Sequence, residues 1–191
     1  MEKIIFIDRD GVINKDPGGW TEHNYVTRWE DFHFIPGSKE AISRLSRAGY
    51  RIIIVSNQAG ISKGYYTERE LDGVTGNMLK ELERSGGRIE KVYYCVHQDS
   101  DNCDCRKPKA GMFERAEKEL GVSAAGNFFI GDAKTDVEAG NGKGLKTVLV
   151  LSGKTDLEAL GGWGFKPDYI FDDLLEAVNF ILSRKDSDRE R

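Results

Sequence analysis

No apolar run in this chain approaches the roughly 20 residues needed to cross a bilayer. The first run, Ile4-Ile5-Phe6-Ile7, directly follows Met1-Glu2-Lys3 and is met at once by acidic residues. It is too short for a signal-peptide core, so a cytoplasmic location with no membrane partner is expected. Cysteine is scarce and odd in number, with three residues all between positions 95 and 105, which argues against a disulfide framework. A basic excess is missing as well. The 28 Lys and Arg are outnumbered by 32 Asp and Glu, for a formal net charge of -4, so no dedicated nucleic-acid surface is expected. Internal repeats and low-complexity linkers are also absent. What is present is an ordinary globular composition, 39% hydrophobic and 31% charged over 191 residues, which suits one domain. The expected organisation is one unit over residues 1–184 and a charged, disordered tail over 185–191. Nothing marks a dedicated oligomer interface, and a monomer is expected.

Apolar runs stop at polar or glycine-rich turns. Ile4-Ile5-Phe6-Ile7 ends at Asp8, Ile52-Ile53-Ile54-Val55 at Ser56-Asn57, Phe128-Phe129-Ile130 at Gly131-Asp132, and Thr147-Val148-Leu149-Val150 near Ser152-Gly153. A shorter run, Val92 to Val96, leads into the cysteine segment. Runs of this kind suit strands buried on both faces, as in a parallel sheet. Helical periodicity alternates with them over Ser38 to Ala48, Glu68 to Arg84, Met112 to Leu120, from Thr135 to Ala139, and over Asp172 to Leu182. Strand–helix alternation predicts an α/β fold around a central parallel sheet. Residues 14–36 and 95–108 stand outside the alternation, where insertions often carry function.

In such sheets ligands bind beyond the carboxyl ends of the strands. The predicted ends carry Asp8, Asp10, Ser56, Asn57, Asp132 and Asp136. Asp8 and Asp10 can face one pocket if the chain turns between them, and Gly11 permits the turn. One carboxylate can attack phosphorus, and the other can protonate the leaving alkoxide and then activate water. Anion attacking anion needs a divalent cation and basic groups nearby. Acidic residues after Gly131 suit Mg²⁺, with Asp136 acting through a water or orienting the loop. Arg106 and Lys107 supply positive charge for the substrate and the phosphoryl oxygens. Each piece has a plainer alternative: a solvated turn at Asp8-Arg9-Asp10, a cap at Ser56-Asn57, helix-start stabilisation at Asp136, a solvated basic pair at Arg106-Lys107.

Taken in order, Asp8-x-Asp10-Gly11, Ser56, Lys107-Pro108 and Gly131-Asp132-x-x-x-Asp136 resemble the haloacid dehalogenase (HAD) phosphatase superfamily. The motifs span most of the chain. The resemblance implies a Rossmann-like HAD sheet, Asp8 as nucleophile, Asp10 as general acid/base, and Ser56 and Lys107 as phosphate-stabilising groups. It also implies Mg²⁺ on Asp8, the Asp10 carbonyl and Asp132.

Cys95, His97, Cys103 and Cys105 place three thiols and one imidazole within eleven residues. Three Cys and one His make a closed tetrahedral zinc set with no open position, so the metal is expected to be structural. Unconnected thiols or a redox pair are the alternatives, although Cys-x-Cys is not the usual redox spacing. This loop runs straight into Arg106-Lys107-Pro108, which it would brace. Together with Asp8 to Asn14 and Ser56-Asn57-Gln58-Ala59-Gly60-Ile61, it is similar to the D-glycero-D-manno-heptose 1,7-bisphosphate 7-phosphatases and the related histidinol-phosphate phosphatases. That subfamily implies a minimal cap, a small phosphorylated metabolite as substrate, a role in activated-heptose synthesis for surface glycans, and Asn57, Gln58, Arg106 and Lys107 as substrate-binding residues. Two departures bear on specificity. The Lys15 to Tyr25 loop is longer than in heptose members, and Ala133 follows Asp132 where those members often carry Lys, with Lys134 one place later. A receiver domain is disfavoured, because its phosphorylated Asp ends the third strand and here that run leads to Cys95. A binding module with a dead site would have lost a catalytic group, and none is missing.

Overall fold

The computed structural model describes residues 2–187. Six strands form one sheet: β1 (Ile4–Ile7), β2 (Arg51–Asn57), β3 (Lys91–Cys95), β4 (Phe128–Gly131), β5 (Lys146–Val150) and β6 (Tyr169–Phe171). Five helices accompany them: α1 (Ser38–Arg47), α2 (Glu68–Arg84), α3 (Gly111–Leu120), α4 (Lys134–Gly142) and α5 (Leu174–Ser187). The strand order is β3-β2-β1-β4-β5-β6, and every neighbouring pair runs parallel.

The continuous apolar runs are explained by burial on both faces. Successive residues of a strand point to opposite sides, so Ile5, Ile7, Ile52 and Ile54 pack with Ile42, Leu45, Met78 and Val178 of α1, α2 and α5. Ile4, Phe6, Ile53 and Val55 pack on the other face with Met112, Phe113 and Ala116 of α3. Cys95 belongs to that second layer, and Cys103 and Cys105 pack against it, so the cysteine loop is seated on the core. Local signals fix the helix ends. Thr67 and Glu70 close α2 with a reciprocal capping box, and Gly121 ends α3 in the left-handed conformation at φ 65°.

The direction in which strands are added across the sheet reverses between β1 and β4. From β1 the chain builds outward to β3, then returns to lay β4 against β1 and builds the other way. Such a switch point opens a crevice at the strand tips. Asp8 lies at one tip, tied by its backbone N–H to the Ile130 carbonyl at 2.9 Å, and Asp132 follows the other.

The 14–36 segment is no free loop. Val26, Phe32 and Ile35 are buried, and Phe32 packs on Trp29 and Phe34 with ring centroids 5.0 Å from each. Most element ends shift by a residue or two from the sequence expectation, and two differences are larger. β6 was not foreseen, and α5 begins at Leu174 rather than Asp172 and runs to Ser187, so residues 185–187 continue the helix instead of starting a tail. Residues 188–191 lie outside the described residues.

Candidate active site

A cavity of about 850 Å³ opens at the switch point, lined at its base by Asp8, Asp10, Ser56, Lys107, Asp132 and Asp136. Asp8, Asp132 and Asp136 bring carboxylate oxygens within 4.8 Å of one another, and all three are buried. Lys107 answers two of them. Lys107 Nζ lies 2.9 Å from Asp8 Oδ2 and 2.7 Å from Asp136 Oδ1, and donates to the Val55 carbonyl at 2.9 Å. Its three protons are therefore committed. Burial works against its charge, but the Asp136 and Asp8 carboxylates outweigh burial and raise its pKa, so it stays protonated.

Three buried carboxylates face the paired ammonium of Lys107 and the more distant charge of Lys154, which leaves negative charge uncompensated. Burial pushes the Asp8 carboxyl above its usual range, with Lys107 opposing and Asp136 adding to the rise. Burial, then Asp136 and Asp8, push Asp132 well up. Such a cluster fits a divalent cation, which favours the ionised form of each ligand. The structure divides the labour. Asp136 Oδ2 accepts from the backbone N–H groups of Asp132 at 3.1 Å and Ala133 at 3.0 Å, and Oδ1 faces Lys107, so Asp136 orients the β4–α4 turn. Asp132 Oδ2 accepts from the Lys154 backbone at 2.8 Å. Glycine is required on both sides of that carboxylate. A Cβ on Gly11, whose φ is +80°, would lie 2.2 Å from Asp132 Oδ2, and one on Gly153 would lie 2.0 Å from it.

Asp10 faces away from Lys107 into a second network. It pairs with the buried Arg9 and accepts from Asn14 Nδ2 at 2.8 Å and Gln58 Nε2 at 2.7 Å. Burial alone would raise its pKa, but Arg9 and the hydrogen bonds from Asn14 and Gln58 hold it below the usual carboxylate value.

The substrate-binding set sorts itself by exposure. Gln58, expected to bind substrate, is sealed from solvent. It lies outside the cavity lining, and its amide is spent on Asp10 and on the Tyr66 hydroxyl, which donates to Oε1 at 2.6 Å. Asn57 lines the cavity, yet both ends of its amide bind the Lys107 backbone, with Nδ2 donating to the carbonyl and Oδ1 accepting from the N–H at 3.1 Å each. It holds the lysine in place. Arg106 lines the cavity while Nε donates to Asp99 Oδ1 at 2.5 Å and Nη1 to the His97 carbonyl at 3.3 Å. Lys134 also lines it, with Nζ 5.7 Å from the Phe165 ring centroid.

Cys95, His97, Cys103 and Cys105 bring their donor atoms within 4.8 Å of one another. Cys95 Sγ is 3.0 Å from Cys105 Sγ and 3.6 Å from Cys103 Sγ, and His97 Nδ1 is 3.3 Å from Cys105 Sγ. Metal–sulfur bonds of about 2.3 Å give a tetrahedron with edges of about 3.8 Å. The Cys95–His97 and Cys95–Cys103 separations of 3.8 and 3.6 Å are near it, and the Cys95–Cys105 pair is tighter. Three thiols with one imidazole are the kind and number of donors that zinc takes. The three cysteines are free thiols.

Sequence reasoning missed several lining residues: His23 and Tyr25 from the 14–36 segment, Lys63 and Tyr65 after β2, and Lys154 and Trp163 after β5. The placing of 14–36 outside the strand–helix alternation was the available signal for the first two.

A HAD-hydrolase-like family model matches residues 104–177. The chain is 36% identical to the D-glycero-beta-D-manno-heptose-1,7-bisphosphate 7-phosphatase of Pseudomonas aeruginosa over 94% of this chain and 97% of that protein. It therefore belongs to the heptose-bisphosphate phosphatase family of HAD hydrolases. Its relative of the same description in Haemophilus influenzae is also 36% identical, covering 97% of this chain and all (100%) of that one. The crystal structure of a D,D-heptose 1,7-bisphosphate phosphatase from B. bronchiseptica, complexed with magnesium and phosphate, superposes with a TM-score of 0.87 at 28% identity, covering 95% of this chain and 99% of that one. Family membership makes the α/β unit a HAD phosphatase fold and the chain an enzyme of the phosphatase class. Among the described residues no helix is long and apolar enough to cross a membrane.

Proposed function

We propose that this phosphatase is a Mg²⁺-dependent D-glycero-D-manno-heptose 1,7-bisphosphate 7-phosphatase working through an aspartyl-phosphate. The observation that carries the reading is the clustering of the Asp8, Asp132 and Asp136 carboxylates at the sheet's switch point, with Lys107 paired to Asp8 and Asp136. Asp8, Asp132 and the Asp10 carbonyl would hold Mg²⁺, which neutralises charge on the phosphoryl oxygens and on Asp8.

In the first step Asp8 forms a bond to phosphorus while the bond from phosphorus to the C7 oxygen breaks. The electron pair goes to that oxygen, which takes a proton from Asp10. Before substrate binds this carboxyl is held low, and the incoming phosphate, by like-charge repulsion, loads it with a proton from solvent before the transfer. In the second step Asp10 takes a proton from water, the water oxygen bonds to phosphorus, and the bond to Asp8 breaks. Lys107 holds Asp8 in line and Ser56 faces the phosphoryl group. Arg106 meets the sugar. Zinc on Cys95, His97, Cys103 and Cys105 would close the loop that presents Arg106 and Lys107, a structural role that fits a four-ligand set. The same proposal includes a single unit over residues 1–184, acting as a cytoplasmic monomer on a small metabolite for surface-glycan synthesis.

Phosphate release from both heptose 1,7-bisphosphate anomers, histidinol phosphate and simple sugar phosphates, each with Mg²⁺, tests the substrate. The β anomer is expected to lead the panel in kcat/KM by about tenfold or more, the scale of a few pocket contacts. A panel led by histidinol phosphate would contradict the heptose assignment and leave the phosphoryl-transfer chemistry intact.

A further inference from the structure

Arg9 is the bulkiest of the fully buried side chains, with none of its surface exposed. A guanidinium loses much of its hydration on burial. Replacing a buried ion pair by apolar residues is often neutral or stabilising, so such a pair is a weak stability device. The position of Arg9 accounts for it better. Nε lies 3.1 Å from Asp10 Oδ1, and Nη2 lies 2.9 Å from both Oδ1 and Oδ2. The plane of the fork is backed by the Tyr94 ring, whose centroid is 5.6 Å from Cζ.

The remaining donors complete a cradle. Asn14 Nδ2 reaches Oδ1 and Gln58 Nε2 reaches Oδ2. The Gln58 amide is itself oriented, because the Tyr66 hydroxyl donates to its oxygen. The Arg9 carbonyl accepts from the N–H groups of Ile13 at 2.8 Å and Asn14 at 3.2 Å, which tightens the turn that carries Asn14 back to Asp10. Arg9, Asn14 and Gln58 together hold both oxygens of this carboxylate, whose side chain keeps 13% of its surface exposed and lines the cavity.

We propose that Arg9 is a positioning residue for proton transfer: its two-pronged grip fixes the plane and rotamer of the Asp10 carboxylate against the leaving oxygen of the substrate. The inference rests on Asp10 carrying the proton in the first step. Arg9 touches no substrate, so its effect appears only where the leaving oxygen needs a proton. A sugar alkoxide does. p-Nitrophenolate, stable as an anion near neutral pH, does not.

The test compares kcat/KM, which reports the steps through phosphoryl transfer to Asp8, for a sugar phosphate and for p-nitrophenyl phosphate. Wild type, Arg9→Gln, Arg9→Lys and Asp10→Asn are measured with Mg²⁺, each checked for folding by thermal unfolding. Both Arg9 variants are expected to lose about 10–100-fold on the sugar phosphate, the cost of a misplaced proton donor, and less than about threefold on p-nitrophenyl phosphate, which needs no such donor. Arg9→Lys keeps a buried cation without the fork, so it retains the selective loss if Arg9→Gln does not fold. Equal losses on both substrates in a folded variant, or wild-type ratios in Arg9→Lys, would overturn the inference. Asp10→Asn separates the two layers. A selective loss there beside unselective Arg9 variants would remove Arg9 alone, whereas an unselective Asp10→Asn would remove the acid role on which Arg9 depends.

Discussion

Asp8→Asn is expected to lower kcat for phosphate release by about 10⁴-fold or more while the protein stays folded, the scale seen when a covalent nucleophile is removed. The physical case begins with geometry. Asp8 stands at the tip of β1 with Lys107 Nζ 2.9 Å from Oδ2, and its Oδ1 accepts from the Arg9 backbone N–H at 2.7 Å. An amide in its place keeps the size and can keep one acceptor for Lys107, but it cannot form the mixed anhydride. The fold has little reason to suffer, since ionised Asp8 is opposed by burial and only partly relieved by Lys107. Near-normal turnover in a clean preparation of Asp8→Asn would remove the nucleophile from the account. The measurement is phosphate release over time beside thermal unfolding of the same sample.

The second large effect lies at Asp132, and it has opposite signs for activity and stability. Asp132→Asn is expected to abolish most Mg²⁺-dependent activity, on the order of 10²–10³-fold, the scale of losing one preorganised electrostatic group. The metal-free protein should nevertheless become more stable near neutral pH. Burial, with Asp136 and Asp8 adding to it, raises the Asp132 carboxyl well above its ordinary value. A carboxyl raised in the folded state contributes stability that is fully present below its unfolded pKa and is lost as pH rises through the folded value. Near neutral pH without metal the buried carboxyl is therefore a cost, and a neutral amide removes it while its oxygen still accepts from the Lys154 backbone. A gain of about 1 kcal/mol corresponds to a rise of about 2–4 °C in Tm for a chain of this size. The gain should shrink toward pH 4. Wild type should gain Tm on adding Mg²⁺, by mass action on the folded state, and Asp132→Asn should not. A metal-free variant less stable than wild type at pH 7, yet still stabilised by Mg²⁺, would contradict this assignment.

Much of this was legible in the sequence because burial on both faces leaves an unmistakable apolar run. β1 and α2 fall where the pattern places them, and the tips of β1, β2 and β4 carry the residues expected there. β6 escaped because it is a three-residue edge strand, and Ile170 at its centre is 39% exposed; a half-solvated strand of that length has no periodicity to read. The active site was legible where a motif sits directly after a strand. It was obscure where the partner arrives from another element. Lys154 and Gly153 meet Asp132 from the segment after β5, and nothing in local spacing announces that approach. Arg9 was hidden for a different reason. An arginine between two aspartates reads as part of a solvated turn, and only the fold shows it turned inward. The subfamily resemblance of the Ser56 to Ile61 segment assigns Gln58 to the substrate. The residue lies past the end of β2, where hydrogen bonds to Asp10 and from Tyr66, partners that local spacing does not reveal, hold it out of the cavity.

The claim on which the rest depends is that phosphorus passes through Asp8 rather than going directly to water. Hydrolysis of a sugar phosphate made chiral at phosphorus with oxygen isotopes, run with Mg²⁺ in isotopically labelled water, tests it most directly. Two in-line displacements, one by Asp8 and one by water, predict net retention of configuration in the released phosphate. Net inversion would mean a single displacement by water and would contradict the aspartyl-phosphate.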